Sequence, residues 1–421
     1  MAMDMKTRRR AGVRAVTTLL AWLAIAGAAP AQEGVDARIA QADALRSADP
    51  ERSAALLAGL ERQAADLSRS QRLHLEYLRA YHMAIYGNRP DDAARLAMSL
   101  FHRADDVDLR FRAGALAARC HAITRDFGEG LRILNQVMPM RHSVRDEAVR
   151  HAGINTAAML YSELGQYRLG LRYADEVLGD APGPRARCMA SATQLEARYH
   201  LQALPGDDGP LGRSIEQCLS IGEAMPANFL RITLARKLIG EGRPDDALEL
   251  LRLHLPAIEA IDYQRLTVEA HALLAELLLG RGDLDGAQGH ADLAIARARS
   301  FSTGLPLVTA YRVRYEIAER GGDAGAALAH YRRYVEADMA HLGDVRAREL
   351  AYDIVRDETT RRARRIEMLD QQNQILRLQE EAGRQAARQT RLLVAALLAL
   401  IAAIGSWTWY AARRAERARD R

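Results

Sequence analysis

The pentapeptide Arg89-Pro90-Asp91-Asp92-Ala93 recurs letter for letter as Arg243-Pro244-Asp245-Asp246-Ala247. Gly87 and Gly242 stand just ahead of the two copies, and each copy divides two amphipathic helical patterns. The chemistry suits a helix–turn–helix corner. Glycine supplies the positive φ that closes a helix. Aspartate then caps the next helix and complements its positive end. The alanine five residues past Gly242, Gly282 and Gly322 lets two helices approach closely.

Working outward from these corners gives a period. Gly165, Gly242, Gly282 and Gly322 each separate two helical patterns, with gaps of 77, 40 and 40, and Gly87 lies 78 before Gly165. Helix breaks at 125–128 and 205–210 fill the double gaps, and Asp49-Pro50 extends the series. Eight turns therefore fall near 49, 87, 126, 165, 206, 242, 282 and 322, spaced 36 to 41 residues apart. A fixed period of this size predicts a solenoid of helical hairpins.

Composition agrees. Of the 421 residues 49% are hydrophobic but only 5% aromatic, which excludes an all-β protein, whose strands want aromatic and β-branched side chains. The apolar content and a net charge of only +5 exclude a disordered chain. Lys6 and Lys237 are the only lysines among 59 basic residues. We ascribe that arginine bias to a GC-rich genome, and no nucleic-acid partner is expected.

The repeats resemble tetratricopeptide repeats. Ala158, Tyr161, Gly165, Tyr167 and Pro182 fall where that family places Gly/Ala, Tyr, Gly, Tyr and Pro. Leu274, Ala275, Gly282, Ala287 and Ala294 match in a second repeat, Leu234, Ala235, Gly242 and Ala247 in a third, and Tyr311, Gly322, Ala327 and Tyr331 in a fourth. The longer period and the missing consensus tryptophan depart from the family, and an armadillo- or HEAT-like array is the alternative. The resemblance implies an all-α superhelical solenoid with a concave groove lined by the first helix of each pair. In that register His82, Arg119, Asn155, Arg236, Glu276, Arg312 and Glu316 face the groove, and a protein or peptide is the expected partner.

Both ends read as targeting segments. Residues 1–31 read as a signal peptide: Lys6, Arg8, Arg9, Arg10 and Arg14 precede an apolar stretch of 14 residues, Ala15 to Ala28, and Ala29-Pro30-Ala31 fits small-x-small cleavage. An uncleaved anchor is the alternative. Leu392 to Ala412 is 21 residues without a charge. As a helix it is about 31 Å long, enough to span a bilayer. Trp407, Trp409 and Tyr410 supply an interfacial belt, and five arginines in 413–421 a positive-inside stop. The expected organisation is signal peptide 1–31, repeat solenoid 32–343, stalk 344–391, one transmembrane helix 392–412 and a basic cytoplasmic tail 413–421. The repeats would then lie in the periplasm and the span in a bacterial inner membrane.

The stalk is rich in charge and carries a heptad pattern. Ile366, Leu369, Asn373 and Leu376 occupy one stripe, and an Asn at an a position favours a parallel homodimer. A single solvated helix is the alternative.

Catalytic signatures are missing. There is no phosphate-binding glycine loop, no H-E-x-x-H, no G-x-S-x-G and no His–carboxylate cluster at ligand spacing. No enzyme activity, metal or cofactor is expected. Cys120, Cys188 and Cys218 read as small buried apolar residues. A helical hairpin turning near 207 sets Cys188 and Cys218 about 12 Å out of step, too far for a disulfide. The layout as a whole resembles the extracytoplasmic sensor half of bacterial transmembrane signalling proteins of the diguanylate cyclase or histidine kinase type, without an output domain after the span. Two readings stand: a membrane-tethered interaction scaffold, or a sensor module whose output is supplied elsewhere.

Overall fold

The computed structural model describes residues 29–261, 263–298 and 304–419. The charged and apolar parts of the expected signal peptide lie outside the described residues. Among those described, every regular element is helical. The helices are α1 (Ala29–Leu45), α2 (Pro50–Glu61), α3 (Arg69–Ile85), α4 (Pro90–Arg103), α5 (Val107–Ile123), α6 (Phe127–Val137), α7 (Glu147–Glu163) and α8 (Tyr167–Gly179). They continue as α9 (Pro184–His200), α10 (Gly209–Ser220), α11 (Ala224–Gly240), α12 (Pro244–Glu259), α13 (Gln264–Arg281), α14 (Leu284–Arg297), α15 (Leu305–Arg320) and α16 (Ala324–Arg419). Odd and even helices pair into hairpins whose corners coincide with the eight turns read from the sequence.

The corners show why. Gly165, Gly242, Gly282 and Gly322 take φ of +75°, +75°, +84° and +74°. At Gly282 the amide of Asp283 bonds the carbonyl of Leu278 and that of Gly282 bonds Leu279, so a left-handed residue closes both orphan carbonyls. Asp283 then accepts from the Gly286 amide at 3.0 Å and Asp323 from Ala326 at 2.9 Å. The repeated pentapeptide works differently from the expected cap. Pro90 and Pro244 open α4 and α12, and neither helix start has a side-chain cap. Asp92 and Asp246 are instead held by Arg89 and Arg243, each at 2.7 Å, beside the positive helix end. Nothing lies within 4 Å of a Cβ built on Gly282, so a substitution there meets only backbone strain. Gly282→Val should therefore lower the chemical-denaturation midpoint by the equivalent of more than about 1 kcal/mol.

Hairpins stack through small residues. Ala97, Ala117, Ala157, Ala190, Ala235 and Ala275 are fully buried, as are Ala287 and Ala291 on α14. Larger side chains such as Phe111, Leu100, Leu109 and Leu230 fill the layers between them.

The superhelix also touches itself across sequence. Ser47 donates to Glu223 at 2.6 Å, Arg185 pairs with Glu223 at 3.0 Å, and Arg112 pairs with Asp43 at 2.6 Å. These contacts join the end of α1 and the first corner to α5, α9 and the α10–α11 connection. Burial opposes ionisation of Asp43, but Arg112, Arg46 and Arg185 outweigh it and hold its carboxyl down at about 2.

Two sequence expectations need correction. Cys188 and Cys218 form a disulfide, with Cα atoms 5.2 Å apart. The α9–α10 connection occupies 201–208, so its centre precedes 207. Cys188 lies 12 residues before the end of α9 and Cys218 9 after the start of α10. The difference of three residues is a stagger of about 4.5 Å rather than 12. Cys120 is a buried free thiol. Secondly, the expected boundary at 343/344 falls inside α16, and the compact unit continues to Asp353. Asp344 and Arg348 are tied into the repeats, and Tyr352 meets Tyr161 at 6.5 Å between ring centres.

The second unit, Ile354–Arg421, is described by its helix alone. It contains one segment long and apolar enough to cross a membrane, with a mean hydropathy of 2.1. Ile366, Leu369, Asn373 and Leu376 lie on its exposed surface.

Candidate functional site

The inner wall of the solenoid lines a partly open cavity of about 1780 Å³. Its walls are rows one helical turn apart on successive first helices. On α9 these are Met189, Thr193, Glu196 and His200, and on α11 Phe229, Thr233 and Arg236. That spacing places side chains along one face of each helix. The segment 340–349 of α16 closes one side.

Of the residues expected in the groove, Arg119 and Arg236 line this cavity. The others lie elsewhere. His82 is turned to α2, with Nε2 2.9 Å from Ser53 Oγ. Asn155 is buried and donates to the Ala186 carbonyl at 3.2 Å, tying α7 to α9. Glu276, Arg312 and Glu316 form an ion-paired triad across α13 and α15. The groove register taken from single repeats thus misses the rotation of each helix about its own axis. On α7 the inner row is Met159, Ser162 and Glu163, while Asn155 points along the stack.

Residues missed in the sequence supply most of the site's charge. Glu163 pairs with Arg265 at 3.4 Å, and its carbonyl accepts from Arg348 at 2.7 Å. Asp344 accepts from Arg125 at 2.6 Å and pairs with Arg348 at 3.1 Å. Arg236 pairs with Glu269, and Arg297 with Glu259 at 3.0 Å. Aromatic rings stand among them. Tyr167 stacks on His200 at 4.2 Å, and Phe229 meets Tyr263 edge-on at 5.9 Å. Burial, with Arg236 adding repulsion, pulls His200 down to about 4, so it is neutral at pH 7. The only available signal was polar residues recurring at helical spacing on first helices, which does not tell inner face from outer.

Burial pushes the Glu196 carboxyl up to about 7. Glu269 and Glu163 add repulsion, and Arg236 and Arg265 relieve only part of it. A raised carboxyl binds its proton more tightly folded than unfolded, so stability falls as pH rises from the ordinary glutamate range through about 7 and then levels. Glu196→Gln should flatten the loss of melting temperature between pH 5 and pH 8; an unchanged slope would assign it to other groups.

No group of three or more metal-binding side chains occurs among the described residues. No sequence family matches the chain, and no curated protein matches it. Solved structures do resemble it. A Rap protein complexed with competence and sporulation factor is 14% identical over 79% of this chain and 99% of that one, with a TM-score of 0.54. NprR in complex with its cognate peptide NprX is 11% identical over 68% and 84%, with a TM-score of 0.48. A signal-transduction ATPase with a tetratricopeptide repeat sensor from Pyrococcus horikoshii is 14% identical over 75% and 47%, with a TM-score of 0.47. The fold is an all-α, tetratricopeptide-like helical solenoid.

Proposed function

We propose that this is a membrane-anchored binding protein that holds a protein or peptide partner in its concave cavity. The observation that carries the reading is the cavity itself: about 1780 Å³, walled by charged and aromatic side chains from consecutive hairpins. Repeated hairpins offer such an extended concave surface as a consequence of their stacking. The Rap protein that shares the fold is complexed with competence and sporulation factor, which supports a partner of this kind here. A periplasmic location is part of the proposal, supported by the Cys188–Cys218 disulfide, since disulfides persist in oxidising compartments. So is an inner-membrane anchor through 392–412, supported by its length and hydropathy. The reading includes no catalytic step and no cofactor.

A photo-crosslinking residue at Thr193 or Phe229 should capture a discrete protein or peptide in the periplasm, whereas the same residue at the outward Leu253 should not. Capture at neither inner site, with a small metabolite recovered instead, overturns the reading.

One observation favours a sensor over a passive scaffold. α16 contributes Asp344 and Arg348 to the cavity wall and also carries the apolar segment. A partner that displaces 340–349 would act on the helix leading to the membrane. Pairing of two stalks belongs to this version. With Cys120 replaced and the native disulfide kept, cysteine at 369 or 376 should crosslink to its own copy far more than cysteine at Gln372. Equal crosslinking at all three leaves a monomeric spacer.

A further inference from the structure

Most charges on the cavity wall are already matched: Arg125 and Arg348 with Asp344, Arg236 with Glu269, Arg265 with Glu163, Arg297 with Glu259. Two half-buried ones, Arg119 and Glu196, make no hydrogen bond or ion pair among the described residues. Glu163, the carboxylate whose field reaches Arg119, already pairs with Arg265 at 3.4 Å. Removing a charge from water without giving it a partner costs free energy. A fold gains nothing from two such groups, whereas a ligand bearing the complementary charges would satisfy both.

Their placement sets the ligand's length. Arg119 is on α5 and Glu196 on α9, with α7 between them. Two interhelix spacings put the anchors up to about 20 Å apart. An extended chain covers that distance in about six residues. Tyr86 and Tyr263, which line the cavity together with Arg119, give the guanidinium end an aromatic surround suited to apolar side chains of the same ligand.

We propose that Arg119 and Glu196 are the two anchors of the site: the guanidinium receives a carboxylate, and the glutamate an ammonium or guanidinium, of one extended peptide segment with opposite charges about six residues apart. This rests on the peptide-or-protein reading of the cavity.

The test uses the full chain in lipid nanodiscs and a synthetic library of octapeptides, each with one Asp or Glu and one Lys or Arg at every separation and in both orders. The wild type should enrich one order, with the charges about five to six residues apart. Arg119→Gln should lose the demand for the acidic residue by at least about tenfold while keeping that for the basic one. Glu196→Gln should do the reverse, and the double variant R119E/E196R should enrich the opposite order. Melting of the two ligand-free single variants should match or exceed the wild type, because each removes an unmatched charge. Unaltered enrichment in both single variants overturns the anchor assignment alone. So does a fall in melting temperature, which would make the charges part of the fold. A wild type that enriches no peptide overturns the anchors and the peptide reading together.

Discussion

Gly153→Val should unfold at a far lower denaturant concentration than the wild type, with a loss of about 3 kcal/mol or more. Gly153 lies in α7 where that helix crosses α5, and a Cβ built on it falls 2.1 Å from Phe111 Cε1 and 2.5 Å from Cζ. Phe111 is wholly buried, so its ring has no open space into which to swing. Valine adds three carbons to a volume already occupied. The modest helix-propensity gain of replacing glycine, under about 1 kcal/mol, offsets only a fraction. Shrinking the opposing ring isolates the cause. Phe111→Leu alone leaves a void and destabilises, yet Gly153→Val combined with Phe111→Leu should cost less than the two single losses added together. Additive losses would mean that the two helices separate rather than clash, and that the stacking distance between hairpins is not fixed here.

That same contact explains what could be read in the sequence. Corners were legible because each depends on a few neighbouring residues. Gly165, Gly242, Gly282 and Gly322 announce a left-handed φ directly. Asn88, Arg125 and Gln202 take the same conformation at three other corners, with φ of +48°, +66° and +56°. The sequence marks the corner at 87 by Gly87, one residue too early, and the other two by breaks in the helical pattern. Small residues at fixed offsets announced close packing. The inner face was less legible because it depends on how far each hairpin rotates against the next, and that is set by contacts such as Gly153 on Phe111 rather than by any single repeat. Arg119 and Arg236 were placed on the cavity, but Glu163, Glu196, Arg265 and Glu269 were missed, since nothing local separates them from solvated charges.

The long C-terminal helix was misjudged for a related reason. Its charge density and heptads suggest a stalk that begins at 344, yet Asp344 and Arg348 reach residues more than 180 positions earlier. A helix rich in charge is normally solvated, so its ion pair with Arg125 and its hydrogen bond to the Glu163 carbonyl are visible only in three dimensions. They tie the start of α16 to the wall of the cavity.

Removing the Cys188–Cys218 bond should be the most costly change that leaves every helix intact. The bond closes a segment with a sequence separation of 30, spanning the α9–α10 hairpin. Constraining a loop of that size in the unfolded chain stabilises the folded one by about 3 to 4 kcal/mol. This hairpin needs the constraint more than its neighbours do. Its connection is the long one at 201–208, where Gln202 holds φ of +56° without a glycine. Both sulfurs are buried in a small cluster with Leu195, Leu211 and Leu230 rather than in the larger core formed by the later hairpins. Glu196 and His200 stand on the same α9 and face the cavity, so loosening the hairpin should reach the site. The double replacement Cys188→Ala with Cys218→Ala should therefore lower the midpoint by that amount and raise hydrogen exchange first in 184–220. Reduction of the wild type by dithiothreitol should reproduce the same pattern, and should leave the double variant unchanged. Exchange that rises evenly along all eight hairpins would instead mean that the solenoid unfolds as one unit, and that the bond acts on the whole stack rather than on its own hairpin.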